Sequence, residues 1–292
     1  MVYPGWAVET LLYQPEVSTR TPPAPAAGRA APRQAPTLAP GRLPRGAILF
    51  GPVAFVCLWE LASLLGWISP RFLAAPSTAV VTGFELLRSG TLADHFLASA
   101  QRAYLGLFIG VALGLVLALA AGLSQFGEAS IDGLVQIKRA VPTLALIPLA
   151  ILWLGIGETM KIALIASSVL VPVYINTHAA LRGIDIRHVE LARSVGLGRG
   201  AFLREVALPG ALPGFFTGLR LAVTTCWTAL VVLEQINTSE GIGYLMNRAR
   251  DYGQTDIIVV GLAIYAVLGL GSDFAVRFFE RRALSYRKAL AS

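Results

Sequence analysis

Six long apolar runs, some of them free of charge over a full membrane thickness, constrain this chain more than any other feature. They lie at about 47–68, 103–123, 141–157, 162–180, 214–236 and 257–277. A helix needs ~20 apolar residues to cross a ~30 Å hydrocarbon layer. The second and fourth runs meet that length cleanly. The third is shorter and holds Pro142 and Pro148, which predicts a kinked crossing. The runs do not alternate apolar and polar residues, so they read poorly as strands. The expected fold class is an all-α membrane protein, with a six-helix transmembrane bundle at 46–292 behind an arm at 1–45.

Composition supports this reading. The AVILMFWYC set makes up 55% of the 292 residues and charged residues only 14%, against roughly 25% charged in ordinary soluble proteins. Mean hydropathy is +0.65. Six helices buried in a soluble core would need a polar shell that the chain lacks. A soluble enzyme, a disulfide scaffold, a coiled coil and a disordered protein are therefore poor readings. Residues 1–45 hold nine of the seventeen prolines and five arginines, which predicts a disordered or partly extended cytoplasmic arm. They do not read as a signal peptide, because no apolar core follows and Glu9 and Glu16 interrupt the stretch. Cys57 and Cys226 lie in apolar runs and read as small core residues. His95, His178 and His188 form no metal-ligand spacing, and no metal is expected.

Basic residues set the expected orientation. With the N-terminus inside, the arm, loop 124–140, loop 181–213 and the C-terminal end carry seventeen Lys and Arg, twelve of them outside the arm. The outside parts, 69–102, 158–161 and 237–256, carry six. Both termini are thus expected in the cytoplasm, the net charge of +7 reflects membrane topology, and nucleic acid is not an expected partner.

The second run places Gly106, Gly110, Gly114, Ala118 and Gly122 at every fourth position. That spacing makes a small-residue face for close helix contact; the partner is left open, either a neighbour in this chain or a second copy. Glu60, Asn176, Glu234 and Asp273 are costly in lipid and are expected to face the bundle or water. Each reads either as a pathway or gate residue or as a helix-pairing group. Trp153 and Tyr174 are further candidates for lining a pathway. Arg102, Lys161 and Arg220, near span ends, read as interfacial anchors or as a field for an anionic solute.

Between the fourth and fifth runs, residues 185–220 suit a short helix, a glycine turn (Gly196, Gly198, Gly200) and a second short helix at 201–208. Leu191 and Val195 share one face of the first helix. Pro209 and Pro213 are expected to redirect the chain into the fifth run. An element apolar on one side yet flanked by charges suits docking into another protein's groove or resting on lipid headgroups.

The segment Glu190-Leu191-Ala192, Gly196 four residues on, and Leu208-Pro209 near the end resemble the cytoplasmic loop of permease subunits in bacterial ATP-binding-cassette importers. Leu191 replaces the alanine usual there. The likeness extends over about 72–280, through Ala75-Pro76-Ser77, Ala140-Val141-Pro142, Leu152 to Glu158, Gly218-Leu219-Arg220, and Glu234 with Gly241 to Leu245. It is closest to the branch carrying nitrate, sulfonates, taurine and related oxyanions, or thiamine precursors and similar heterocycles. The resemblance implies an inner-membrane, multi-pass type I permease that works as a dimer, here a homodimer. It implies two cytoplasmic ATPase subunits, which bind the ATP and Mg, and an extracytoplasmic solute-binding protein. It places the ATPase-coupling loop at 185–209, with Glu190, Leu191, Ala192, Arg193, Gly196, Gly198, Leu208 and Pro209 as coupling residues. Trp153, Tyr174, Asn176 and Glu234 remain the pathway or gate candidates.

The chain itself shows no Gly-rich loop ending in Gly-Lys-Ser/Thr. No nucleophile–base set or acid–base pair is visible either. It is expected to be a non-catalytic subunit without a cofactor of its own. An ion channel, a secondary carrier, a membrane enzyme or a purely structural subunit would be the alternatives; the 190–209 loop argues for the ATP-driven class.

Overall fold

The computed structural model describes residues 47–285 apart from Asn237, so the arm at 1–45 lies outside the described residues. Among the described residues every regular element is helical. They are α1 (Ala47–Leu64), α2 (Pro76–Arg88), α3 (Thr91–Gly122), α4 (Gln125–Ala140), a 3-10 turn (Thr143–Leu146), α5 (Ile147–Leu154), α6 (Glu158–Arg182), α7 (Ile186–Ser194), α8 (Arg199–Phe202), a π turn (Leu203–Ala207), α9 (Leu208–Leu233), α10 (Ile242–Asp251) and α11 (Thr255–Ala283). The described residues from Gly51 onward form one compact unit; of the other unit only the first residues of α1 are described.

Four helices are long and apolar enough to cross a membrane: α3, α6, the continuous helix Gly200–Leu233, and α11. A fifth candidate is broken, because α4 and the segment Thr143–Leu154 meet at a 91° bend. The break falls where the sequence dictates. Val141 precedes a proline, which disfavours the α region, and it is extended (φ −90°, ψ 117°). The apolar stretch of α1, Phe50–Leu64, is shorter than the four long helices.

The small-residue face of α3 packs on α6. A Cβ added at Gly106 would lie 2.5 Å from Ile165 Cγ2, one at Gly110 2.5 Å from Ala166 O, and one at Gly114 2.8 Å from Leu170 O. Only glycine permits that approach of backbones. Residue numbers rise together on both helices, so α3 and α6 run parallel. On the other side of α6 the order reverses: Gly214 faces Asn176, and Gly218 faces Pro172. Thus α9 is antiparallel to both. The main apolar core joins α3, α6, α9 and α11 through Ile165, Val169, Val173, Cys226, Leu230 and Tyr265. Cys226 is buried there, as expected, whereas Cys57 is exposed on α1.

Two expectations are corrected. Residues 125–140 form a helix rather than a loop, started by Ser124 Oγ accepting the Gly127 N–H at 3.2 Å. Its polar face hid it among loop residues. It lies along α6, with Glu128 3.1 Å from Arg182 and Asp132 3.3 Å from the Tyr174 hydroxyl. Pro209 and Pro213 do not redirect the chain, because the helix runs on through both. Proline removes a backbone donor and crowds the preceding turn. The π turn just before Pro209 widens that turn, so the Leu208 N–H reaches back five residues to Leu203 O.

Candidate functional site

The first candidate is the helical elbow between α6 and α9. Helix α7 ends in a Schellman motif: Leu197 N–H bonds Ala192 O at 2.9 Å, and Gly196 takes φ +69°. That sign of φ makes glycine the natural residue at position 196. The turn aims Val189, Ala192 and Leu197 into a cavity of 860 Å³ that Leu123, Phe202 and Leu203 also line. Below it, Ala207 and Ala211 pack on Leu181, with Phe202, Leu203 and Ile184 around them. The other side of α7 is open. Leu191 is 62% and Val195 63% exposed, and Glu190, Gly196 and Gly198 are exposed beside them. The Arg193 side chain lies outside the described ones. Leu208 and Pro209 open α9 and continue the elbow into the long helix.

At the other end of the bundle lies a buried charge cluster that single residues in the sequence did not reveal. Glu234, whose side chain has no solvent exposure, follows the last turn of α9. Its carboxylate accepts from Arg102 Nη1 (2.8 Å), the Gly243 N–H (2.9 Å) and the Tyr265 hydroxyl (3.0 Å), and the Ser99 hydroxyl lies 2.8 Å from both oxygens. Arg102 turns its Nε and Nη2 to Glu158 as a bidentate pair, and Nη1 also reaches Glu240 O at 2.7 Å. Lys161 joins through Glu158 at 3.0 Å. Ser99 Oγ accepts the Ile242 N–H at 2.8 Å, and His95 Nδ1 accepts the Gly241 N–H at 3.1 Å. Gly241 and Gly243 are close-approach points, since a Cβ at either would strike the Glu234 side chain at 2.5–2.6 Å. The cluster therefore ties α3, α6, α9, α10 and α11 together.

The other polar candidates have local partners. Glu60 accepts the Ser77 N–H (3.0 Å) and hydroxyl (2.7 Å), so the Ala75-Pro76-Ser77 stretch is a helix start closed by a carboxylate from α1. Asp273 pairs with Arg220 (3.1 Å) and Arg277 (2.7 Å). Arg102, Lys161 and Arg220 are thus ion-paired. Asn176 is half-buried and donates to Pro172 O at 2.8 Å. Tyr174 is fully buried and stacks on His178 at 5.4 Å. Trp153 is 72% exposed near the end of α5.

The family described as binding-protein-dependent transport system inner membrane component matches residues 110–285. A protein of Escherichia coli (strain K12) named for aliphatic sulfonates transport, the permease protein SsuC, is 45% identical over 240 residues, covering 82% of this chain and 91% of that one. The taurine transport system permease protein TauC of the same organism is 34% identical over 230 residues, covering 77% and 84%. Among solved structures, a chain from the crystal structure of an amino acid ABC transporter with histidines aligns with TM-score 0.55 at 20% identity, covering 70% of this chain and 96% of that one. With 45% identity over most of both chains and a family match across 110–285, this chain belongs to the binding-protein-dependent transport system inner membrane components.

Proposed function

We propose that this chain is the non-catalytic permease subunit of an ATP-driven importer and that its solute is a small oxyanion of the sulfonate or taurine class. The solute class rests on the relatives named for aliphatic sulfonates and taurine. Two copies would form the pathway, with two ATPase subunits on the cytoplasmic side holding ATP and Mg, and a solute-binding protein delivering cargo outside. Residues 46–292 would cross the inner membrane six times, with the termini inside. Parity supports this count: parallel α3 and α6 require the chain between them to return across the bilayer, and the bent α4–α5 segment is what lies between.

The observation that carries the mechanism is the outward apolar face of α7. The elbow commits Val189, Ala192 and Leu197 inward and leaves Leu191 and Val195 uncovered beside Gly196. Exposed apolar residues on a charged cytoplasmic loop suit a partner's groove. Once docked, the elbow has a rigid route to the bilayer. Gly200–Leu233 is one continuous 34-residue helix, about 51 Å long at 1.5 Å per residue. Closing of the ATPases on ATP would push α7 and tilt this lever against α6. The cluster around Glu234 would hold its far end.

Affinity purification of the full chain from native membranes, with a cysteine at Val195 for crosslinking, tests this. The expected result is a co-purifying ATPase crosslinked through V195C, and ATP-dependent uptake of an aliphatic sulfonate. Uptake driven by an ion gradient without an ATPase would overturn the reading.

A further inference from the structure

Helix α4 carries two cations, Lys138 half-buried and Arg139 exposed, to the level of the middle of α6. It climbs beside α6 from the Glu128–Arg182 pair, past Asp132 at Tyr174, to a cavity of 420 Å³ where Lys138 and Arg139 meet Ser168, Pro172 and Asn176. Pro172 is ten residues before Arg182 in a 25-residue helix, about 15 Å along an axis of about 37 Å. The two cations therefore stand near mid-height of a membrane-spanning helix, where an ionised side chain is costly without a partner.

Three cations on the spanning helices have such partners, Arg220 at a similar depth and Arg102 and Lys161 toward the opposite end of α6. Arg102 and Lys161 bind Glu158, Arg102 also binds Glu234, and Arg220 binds Asp273. Neither Lys138 nor Arg139 has a carboxylate within ion-pair distance among the described residues. Lys138 is half-buried, and its Nζ donates to Thr143 Oγ1 at 2.9 Å. An ammonium has three donors, so two stay available, with the Arg139 guanidinium on the same cavity.

The opposite wall comes from α9, through Leu221 and Thr225. Next to them Thr217, Thr224 and Thr228 are exposed along one face of α9. Their hydroxyls bond their own helix four residues back. A polar stripe at membrane depth, leading past a cavity with two cations that have no carboxylate beside them, has the character of a water-filled path for an anion.

We propose that Lys138 and Arg139, positioned by the α4–α5 bend and assisted by Thr143, form a subsite within the pathway for a small tetrahedral oxyanion group. The proposal deepens the importer reading and rests on it. Both a carried sulfonate and the phosphate of a lipid headgroup bear such a group; the mid-depth position favours the carried solute.

The test uses the complete permease–ATPase complex, nucleotide-free, in nanodiscs of phosphatidylcholine alone or with phosphatidylglycerol, and ethanesulfonate as the probe. Wild type should bind ethanesulfonate saturably in both lipids. K138A should bind about tenfold more weakly, the loss of one charged hydrogen bond, and K138R should recover most of the affinity. Unchanged thermal stability and elution of K138A would exclude misfolding; if K138A is unstable, R139Q takes its place with the same expected loss. Equal binding by these variants and wild type overturns the subsite. Displacement of ethanesulfonate by phosphatidylglycerol assigns the cations to lipid and overturns it as well. Wild-type uptake in proteoliposomes, measured in parallel, separates the two failures. Lack of ATP-driven ethanesulfonate uptake counts against the importer reading, whereas intact uptake with unchanged K138A binding counts only against the subsite.

Discussion

Replacing Glu234 by alanine should be among the most damaging single changes in the bundle. The carboxylate is fully buried and receives Arg102, the Gly243 N–H, the Tyr265 hydroxyl and the Ser99 hydroxyl. Its removal strands at least two of these donors, each at about 1–3 kcal/mol when buried. It also takes from Arg102, itself 8% exposed, its buried counter-ion. Breaking a buried pair by removing one partner typically costs ~3–5 kcal/mol. Arg102 keeps its bidentate bond to Glu158, so the charge itself is discounted to about 1–2 kcal/mol, and two stranded donors at the lower end of their range add about 2–3 kcal/mol. The expected total is about 3–5 kcal/mol. At ~2–4 °C per kcal/mol for a chain of this size, the Tm of E234A in detergent should fall by about 6–20 °C. The internal control is D251A. Asp251 pairs with Arg250 where both side chains are about two-thirds exposed (63% and 66%), so water can replace it and the loss should be at most ~1 kcal/mol. Thermal unfolding of the two variants beside wild type decides the matter. An E234A midpoint within about 2 °C of wild type, or a D251A loss as large as that of E234A, would refute the idea that the buried cluster holds the helix ends together.

Two further predictions concern glycine. At Gly196 the obstacle to a side chain is conformation, since nothing lies within 4 Å of an added Cβ while φ is +69°; G196V should cost about 1–2 kcal/mol locally, leave the chain inserted with a near-wild-type Tm, and raise the ATP hydrolysed per solute imported, while G196N, which tolerates that region, should transport nearly normally. At Gly110 the obstacle is space, because an added Cβ meets Ala166 O at 2.5 Å and Val169 Cβ at 2.7 Å; G110L should force α3 from α6 and lower thermal stability by at least the ~1–3 kcal/mol of an overpacked core, whereas G133A on α4, where no atom lies within 4 Å, should be neutral or gain up to ~1 kcal/mol in helix propensity.

What the sequence made legible depended on the range of the interaction involved. The elbow was readable because its determinants are local: a glycine at 196 closes the helix that begins near Ile186, through a bond only five residues long. The glycine face of α3 was readable as a face, since spacing by four fixes direction. Its partner was not, because α6 lies about 60 positions away and periodicity carries no address. The charge cluster was further from reach. Arg102 finds Glu158 at a separation of 56 and Glu234 at 132, so each residue alone looked like an isolated cost at a span edge. One signal was nevertheless present. The expected topology puts residues 102, 158, 161 and 234 at the same end of their helices, and two acids with two bases at one depth in a low-dielectric bundle have strong reason to pair. The same logic read in reverse identifies what stays unpaired. Helix α4 reads as a loop in the sequence because its polar and apolar residues are equal in number and interleaved, so no long apolar run marks it. That reading left Lys138 and Arg139 among the ordinary basic residues of a cytoplasmic turn. Once α4 is a helix lying against α6, its length lifts them from the membrane edge to the level of Pro172. The positive-inside count therefore treated as a topology marker two charges whose depth makes them candidates for holding the cargo.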